Sequence, residues 1–289
     1  MYPSVRESIL LWGSFPTIKE GLDAIGLDAV ELEFFRDNTV MSLTEPDARF
    51  KLDTLQQIDE FKKHLAGNNV RVSALLMHND FGNPDFDAEV RWTVDCVRAA
   101  DALGLPAVRI DAIMHGERDV PVQENARVFA DAMLRVIDAT PDSRVEMGIE
   151  NHGFQGNNPD FLDLVIGSVG SPRLGMTIDT GNFYWRGHPL ARVYEIIEHF
   201  APHCKHTHAK NIAYPADQRE IEREIGWDYM TYVSKMEEGD IDHERVVAIL
   251  KAAGYDRDLC LEDESLGKYD DAGKKQALID DAAYFKSIL

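Results

Sequence analysis

Four short stretches gather most of the chain's chemistry-bearing side chains. They are Gly148-Ile149-Glu150-Asn151-His152-Gly153, Thr177-Ile178-Asp179-Thr180-Gly181-Asn182, Lys205-His206-Thr207-His208-Ala209-Lys210 and Leu259-Cys260-Leu261-Glu262-Asp263-Glu264. Each reads as a β-strand end delivering acids or imidazoles into a site. Strand side chains alternate between two faces. If Glu150 points inward, so do Gly148 and His152, while Met147 and Ile149 face out. The same parity puts Thr177 with Asp179, His206 and Lys210 with His208, and Cys260 and Glu264 with Glu262. On three of the four stretches the outer face is bulky and the inner one small or polar. Buried carboxylates at such density need a counter-charge, and three acids with a neutral imidazole around one divalent ion satisfy each other. Glu150, Asp179, His208 and Glu262 are therefore expected to hold one divalent metal. Mostly oxygen ligands with one nitrogen favour Mn²⁺, with Mg²⁺ or Co²⁺ as alternatives, over structural zinc.

Further inward candidates are Glu33, His78, Arg109, Asp111, His152, His206 and Lys210. His78 tops the third strand by parity. His152 and His206 could orient metal ligands, and Lys210 sits one pleat above His208, within reach of a substrate oxygen. Arg109 and Asp111 are expected to form a buried ion pair. Trp12, Phe81, Tyr184, Trp185 and Trp227 follow strand ends and could line a sugar-sized pocket, although ordinary packing explains each as well.

The elements that would position these groups repeat one rhythm. An apolar run at Glu7–Trp12 opens the series, and Thr17–Ile25 follows with helical spacing. Strand-like runs recur at 28–35, 70–78, 107–113, 145–151, 174–179, 205–209 and 259–263, separated by helical patterns. Strand–helix alternation implies a parallel sheet with right-handed crossovers. Eight such units in 289 residues imply a single (β/α)₈ barrel domain over residues 1–289. An open doubly wound sheet fits less well, because no GxGxxG follows the first strand. The longest connection, 211–241, follows the seventh strand, with a helical piece expected around Ala216–Ile225. It could act as a lid or a subunit contact.

Composition narrows the setting. A net charge of −21 repels nucleic acid and anionic membrane, and no basic patch offsets it. No run of about 20 apolar residues would span a bilayer. Three scattered cysteines and no secretion signal at the N-terminus fit a reducing cytoplasm.

With GIENHG, TIDTGN, HTHAKN and GDIDHERVVAILKAAGYDRDLCLEDE in this order, the chain resembles the xylose isomerase-like barrel superfamily, in its sugar phosphate isomerase/epimerase branch. That branch includes ketose 3-epimerases, inosose dehydratases and isomerases, and it is related to endonuclease IV. The resemblance implies a barrel in which Glu150, Asp179, His208 and Glu262 bind the metal while Glu150 and Glu262 also carry protons. Several relatives have a histidine where this chain has Asn182. Endonuclease IV uses more histidines and aspartates, and only His78 and His115 are left over to mimic them. His78, His152, Asn182, His206 and Lys210 are the expected substrate-contacting set. The implied activity is a metal-dependent isomerase or epimerase of a sugar, keto-sugar or cyclitol, working through an enediolate. The alternative is a lyase or dehydratase on a keto-sugar, 3-keto-glycoside or inosose. A small, unphosphorylated molecule is the expected partner, and self-association in unfixed number is common for such barrels.

Overall fold

The computed structural model describes all residues, 1–289. Eight strands form one parallel sheet: β1 (Tyr2–Arg6), β2 (Ala29–Glu33), β3 (Arg71–Leu76), β4 (Ala107–Ile110), β5 (Glu146–Glu150), β6 (Leu174–Asp179), β7 (Cys204–His208) and β8 (Asp258–Leu261). From β1 to β7 each strand pairs with its sequence neighbour, and β1 pairs with β8. The last seam closes just beyond β7: Ala209 N donates to Cys260 O at 2.8 Å, and Glu262 N to Ala209 O at 3.0 Å. The sheet is therefore a barrel, and its closing seam runs between His208 and Glu262.

Helices cover the outside. Apolar residues at helical spacing turn inward, as Ile58 and Phe61 do in α3 (Leu55–Gly67). That helix starts at a capping box in which Thr54 and Gln57 satisfy each other's backbone N–H groups. Further helices include α4 (Phe86–Leu103), α5 (Val122–Ala139), α6 (Gly153–Gly156), α8 (Asn182–Trp185), α11 (His243–Ala252) and α12 (Asp271–Ile288). Asp242 caps α11 as its type and place suggest, accepting from Arg245 N at 3.0 Å.

Inside the barrel, small residues let two strands approach. Gly148 and Gly175 are directly paired between β5 and β6. A Cβ on Gly148 would lie 2.4 Å from Thr177 Oγ1 and 2.8 Å from Thr177 N. The glycine of GIENHG is thus required by the crossing of Thr177, which donates to Gly148 O at 3.1 Å.

Two sequence expectations change. Glu7–Trp12 is not a strand but the helix α1, and the first strand precedes it. A short apolar run has no decisive period, and Pro3 counts against a strand at Tyr2–Arg6. The strand forms nonetheless, with Pro3 beside Leu259. In the 211–241 connection, Ala216–Ile225 consists of turns and coil, and the helical turn is Tyr229–Tyr232. Arg223 holds this segment open by donating to the carbonyls of Gln218, Ile221, Tyr184 and His188, so its cation replaces helical hydrogen bonds. A two-stranded ribbon, Asn211–Ile212 against Val233–Ser234, closes the base of the connection. No helix is long and apolar enough to cross a membrane.

Candidate metal centre

Strands β5 to β8 bring Glu150, Asp179, His208 and Glu262 together as their parity requires. Each is at most 3% exposed. One ligand atom from each lies within 4.8 Å of the others. Asp179 is fixed by its own loop, with Oδ1 accepting from the N–H groups of Gly181 and Asn182, both at 2.8 Å. Asn151 extends the β5–β6 ladder by bonding Asp179 N at 2.7 Å and Asp179 O at 2.9 Å. His208 Nε2 meets Glu31 Oε2 at 2.9 Å, which turns Nδ1 toward Glu150 and Glu262 at 3.4 and 3.3 Å.

What remains unsatisfied is informative. Asp179 Oδ2, His208 Nδ1 and Glu262 Oε2 are all buried without a well-formed hydrogen bond, and the two carboxylate oxygens meet the Lys210 ammonium, each at 3.2 Å. Buried polar atoms are nearly always paired, and three that converge beside Glu150, with the Lys210 cation already drawn to two of them, describe a cation site. The buried acid and imidazole set fits a divalent metal.

The two glutamates have matching supports. Arg109 donates to Glu150 through two nitrogens and to Met77 O at 2.9 Å. Arg6 meets Glu262 Oε1 at 2.6 Å. Burial opposes ionisation of both acids, but Arg109 and His208 hold Glu150 below the usual carboxylate range, and Lys210, His208 and Arg6 do so for Glu262. Asn182 Nδ2 donates to the other Glu150 oxygen at 3.1 Å. Lys210 Nζ lies 3.2 Å from both Asp179 Oδ2 and Glu262 Oε2 and 2.8 Å from Glu264 Oε1. Tyr229, from the long connection, donates to the other Glu264 oxygen.

Behind His208 a chain of groups runs down the barrel axis. Glu31 bridges His208 and His206, each at 2.9 Å, and His206 Nδ1 lies 2.9 Å from Asp258 Oδ2. All four are at most 1% exposed. Burial alone would keep Glu31 neutral, yet the two imidazoles hold it ionised. His206 thus acts on His208 through Glu31 and does not reach the mouth. Cys260 lies in the same group, but hydrogen bonds between acid and imidazole already account for these positions.

At the mouth, Asp111 Oδ1 meets His152 Nδ1 at 2.8 Å and its Oδ2 meets His78 Nδ1 at 3.2 Å. Arg109 also pairs with Asp111 at 3.0 Å, so the expected ion pair exists and extends to Glu150. Both imidazole side chains are 44% exposed. His115 is exposed. Of the aromatics, Phe81 and Tyr184 are core residues, Trp12 lies on α1 and is 39% exposed, and only Trp185 and Trp227 are half-buried.

Sequence reasoning missed Arg6 and Glu31. Glu31 shares its strand face with Glu33, so the parity that selected Glu33 also pointed to it. Arg6 would have followed from placing β1 at Tyr2–Arg6.

A pH dependence follows from the centre. Burial pushes the Asp179 carboxyl up to about 7, with Glu150 and Glu262 adding to the rise against Lys210. His208 is raised too, because Glu31, Glu262 and Glu150 outweigh its burial. Groups raised on folding stabilise fully below their unfolded values, and that contribution fades as pH rises through the folded ones. Metal-free protein is therefore expected to lose thermal stability between roughly pH 5 and pH 8, and Mn²⁺ to stabilise it more at the upper end, where binding displaces fewer protons. Melting curves with and without Mn²⁺ check this; a metal-induced gap that narrows with rising pH would refute it.

A family model described as xylose isomerase-like TIM barrel matches residues 21–288, and the chain belongs to that family. No curated protein matches it in sequence. Solved structures share the fold at low identity. A D-psicose 3-epimerase in the presence of D-fructose is 12% identical with a TM-score of 0.69, covering 100% of this chain and 99% of its own. The IOLI protein with a binding zinc atom is 15% identical with a TM-score of 0.69, covering 99% and 98%. Mannonate dehydratase from Streptococcus suis serotype2 is 14% identical with a TM-score of 0.67, covering 100% and 93%.

Proposed function

We propose that the chain, acting as one barrel domain, is a divalent-metal-dependent isomerase or epimerase of a sugar, keto-sugar or cyclitol. The observation that carries this reading is the convergence of Asp179 Oδ2, His208 Nδ1 and Glu262 Oε2, buried and without well-formed hydrogen bonds, beside Glu150. Glu150, Asp179, His208 and Glu262 would hold the ion. Mn²⁺ suits this donor set best, with Mg²⁺ or Co²⁺ as alternatives. When bound, it would supply a Lewis acid for a carbonyl and a neighbouring hydroxyl, favouring proton loss between them.

The protein's own groups would divide the remaining work. Glu150 and Glu262 stand on non-adjacent strands, so one would take a proton and the other return one. Arg109 and Arg6 keep both charged and oriented. Lys210 is placed to meet a substrate oxygen or carboxylate, and Asn182 fixes the second oxygen of Glu150. His78, held through Nδ1 by Asp111, turns its Nε2 to the Arg6 guanidinium at 3.3 Å, whereas His152, held the same way, would present Nε2 to substrate hydroxyls.

That last feature supports elimination as a second reading. An imidazole held by a carboxylate can protonate a departing hydroxyl. A lyase or dehydratase on a keto-sugar, 3-keto-glycoside or inosose would use the same start, and a mannonate dehydratase shares the fold. The three cysteines are free and buried, which supports a reducing, cytoplasmic setting.

The test compares wild type with Asp179→Asn by metal analysis, then follows deuterium from solvent into ketoses, inososes and 3-keto-glycosides. Stoichiometric metal lost in the variant, with deuterium in products of unchanged skeleton, is the expected result. Loss of water or an aglycone would establish the lyase. A wild-type protein that binds no metal even when Mn²⁺ is supplied would overturn both readings.

A further inference from the structure

One rim of the barrel mouth carries two cations that no side chain neutralises. We propose that Arg118 and Arg186, stacked on Phe154, form a subsite for an anionic group, carboxylate or phosphate, at the end of the substrate remote from the metal ligands. This rests on the sugar-processing reading above and names its substrate class.

The loops after three adjacent strands build the subsite. Arg118 follows β4, Phe154 lies in α6 after β5, and Arg186 closes α8 after β6. The two guanidinium carbons each lie 4.7 Å from the Phe154 ring centroid. Stacking holds a guanidinium plane flat and leaves its edge N–H groups free for a forked contact with an oxyanion.

Neither arginine has an ion-pair partner within 4.0 Å. Arg186 Nε is buried and without a hydrogen-bond partner, so a forked contact with an anion would fall to its two terminal nitrogens. The nearby acids do not close the gap. Glu117 uses Oε2 to accept from Phe154 N at 2.7 Å and Gln155 N at 3.0 Å, and it thereby fixes the Phe154 turn. Glu222 adds only field at a distance, and burial together with Arg118 leaves the Arg186 cation destabilised relative to water. The chain has 51 acids against 30 lysines and arginines. Two adjacent unpaired arginines among so many acids mark a place where an anion from outside completes the charge balance.

The position relative to the metal centre fixes which part of a substrate would reach it. Asn182, on the first turn of α8, touches Glu150. Arg186 caps the single turn of α8 four residues on from Asn182, about one helical turn or roughly 6 Å away on the same face. A sugar chelated at one end would bring a terminal group to this rim. The expectation of an unphosphorylated substrate is thus widened to acidic sugars and sugar phosphates, which share the chemistry that the arginines recognise.

The test measures binding of two probe pairs, D-fructose with D-fructose 6-phosphate and D-glucose with D-glucuronate. Calorimetry is run on Co²⁺-loaded and metal-stripped wild type and on the Arg118→Gln/Arg186→Gln double variant. In wild type the charged member of at least one pair should bind about tenfold more tightly or better, as expected for a forked charge-assisted contact. In the double variant that preference should vanish while the Co²⁺ absorption spectrum stays unchanged. Preference for the phosphate pair alone or the uronate pair alone supports the subsite and assigns the anion. Equal binding within both pairs overturns it, as does a preference that survives in the variant. If Co²⁺ fails to bind but an arginine-dependent preference persists in stripped protein, the subsite stands and only the metal reading falls.

Discussion

Glu31→Ala is expected to cost the fold on the order of 3–5 kcal/mol, the range for removing one partner of a buried charge network. Glu31 is fully buried, and its two oxygens serve two equally buried imidazoles. Truncation leaves His206 facing Asp258 alone and His208 Nε2 with nothing to hold it. Neither imidazole can reach water for compensation. Glu31→Gln separates the two roles of the residue. The amide keeps the shape and one acceptor, so most of the stability should survive. The charge that polarises His208 is lost, and metal affinity should fall about 10–100-fold, as for other groups that orient a metal-bound imidazole. Co²⁺ titration by absorption and chemical denaturation measure the two separately. A Gln variant that binds metal like wild type would show that Glu31 only fills space.

The contrast between Glu31 and the four ligands also explains what could be read from sequence. Strands β5, β6 and β8 advertise themselves because their inner faces hold glycine, threonine or acid while their outer faces hold Met147, Ile149, Met176, Ile178, Leu259 and Leu261. Alternation of that contrast is a local signal, and it located the four residues of the proposed metal centre. The pairing of Glu31 with His206 and His208 spans some 175 residues and arises only when the barrel closes. Residue type alone could not choose Glu31 over Glu33. The opening strand was hidden because Val5 is its sole large aliphatic residue between Tyr2 and Arg6, whereas Ile9, Leu10 and Leu11 of α1 mimic a buried strand. The Ala216–Ile225 segment misled for a different reason. Its residue types suit a helix, but the Arg223 side chain occupies the Gln218 and Ile221 carbonyls that a helix would use and ties the segment to Tyr184 O and His188 O at the α8 turn. Tertiary bonds of this kind override local propensity.

Glu150→Gln and Glu262→Gln should both lower the rate by about 10³-fold or more, within the range for losing a proton-transferring group, yet they should differ in stability. Arg109, the partner of Glu150, has a side chain only 2% exposed, whereas that of Arg6, the partner of Glu262, is 18% exposed. Neutralising Glu150 leaves Arg109 buried with Asp111 as its one remaining acid, and His78 and His152 already draw on Asp111. The expected cost is about 2–4 kcal/mol, because a buried charge loses half of its compensation. Neutralising Glu262 leaves an arginine that can turn toward water and a Lys210 that keeps Asp179 and Glu264, and the cost should be about 1 kcal/mol or less. The two changes should thus be alike in solvent-deuterium exchange and unlike in denaturation midpoint. If Glu150→Gln kept wild-type exchange while losing stability, Glu150 would be a structural partner of Arg109, and the proton would have to move through the imidazoles that Asp111 holds. If both variants kept wild-type exchange, the acid–base assignment to the glutamates would be wrong altogether.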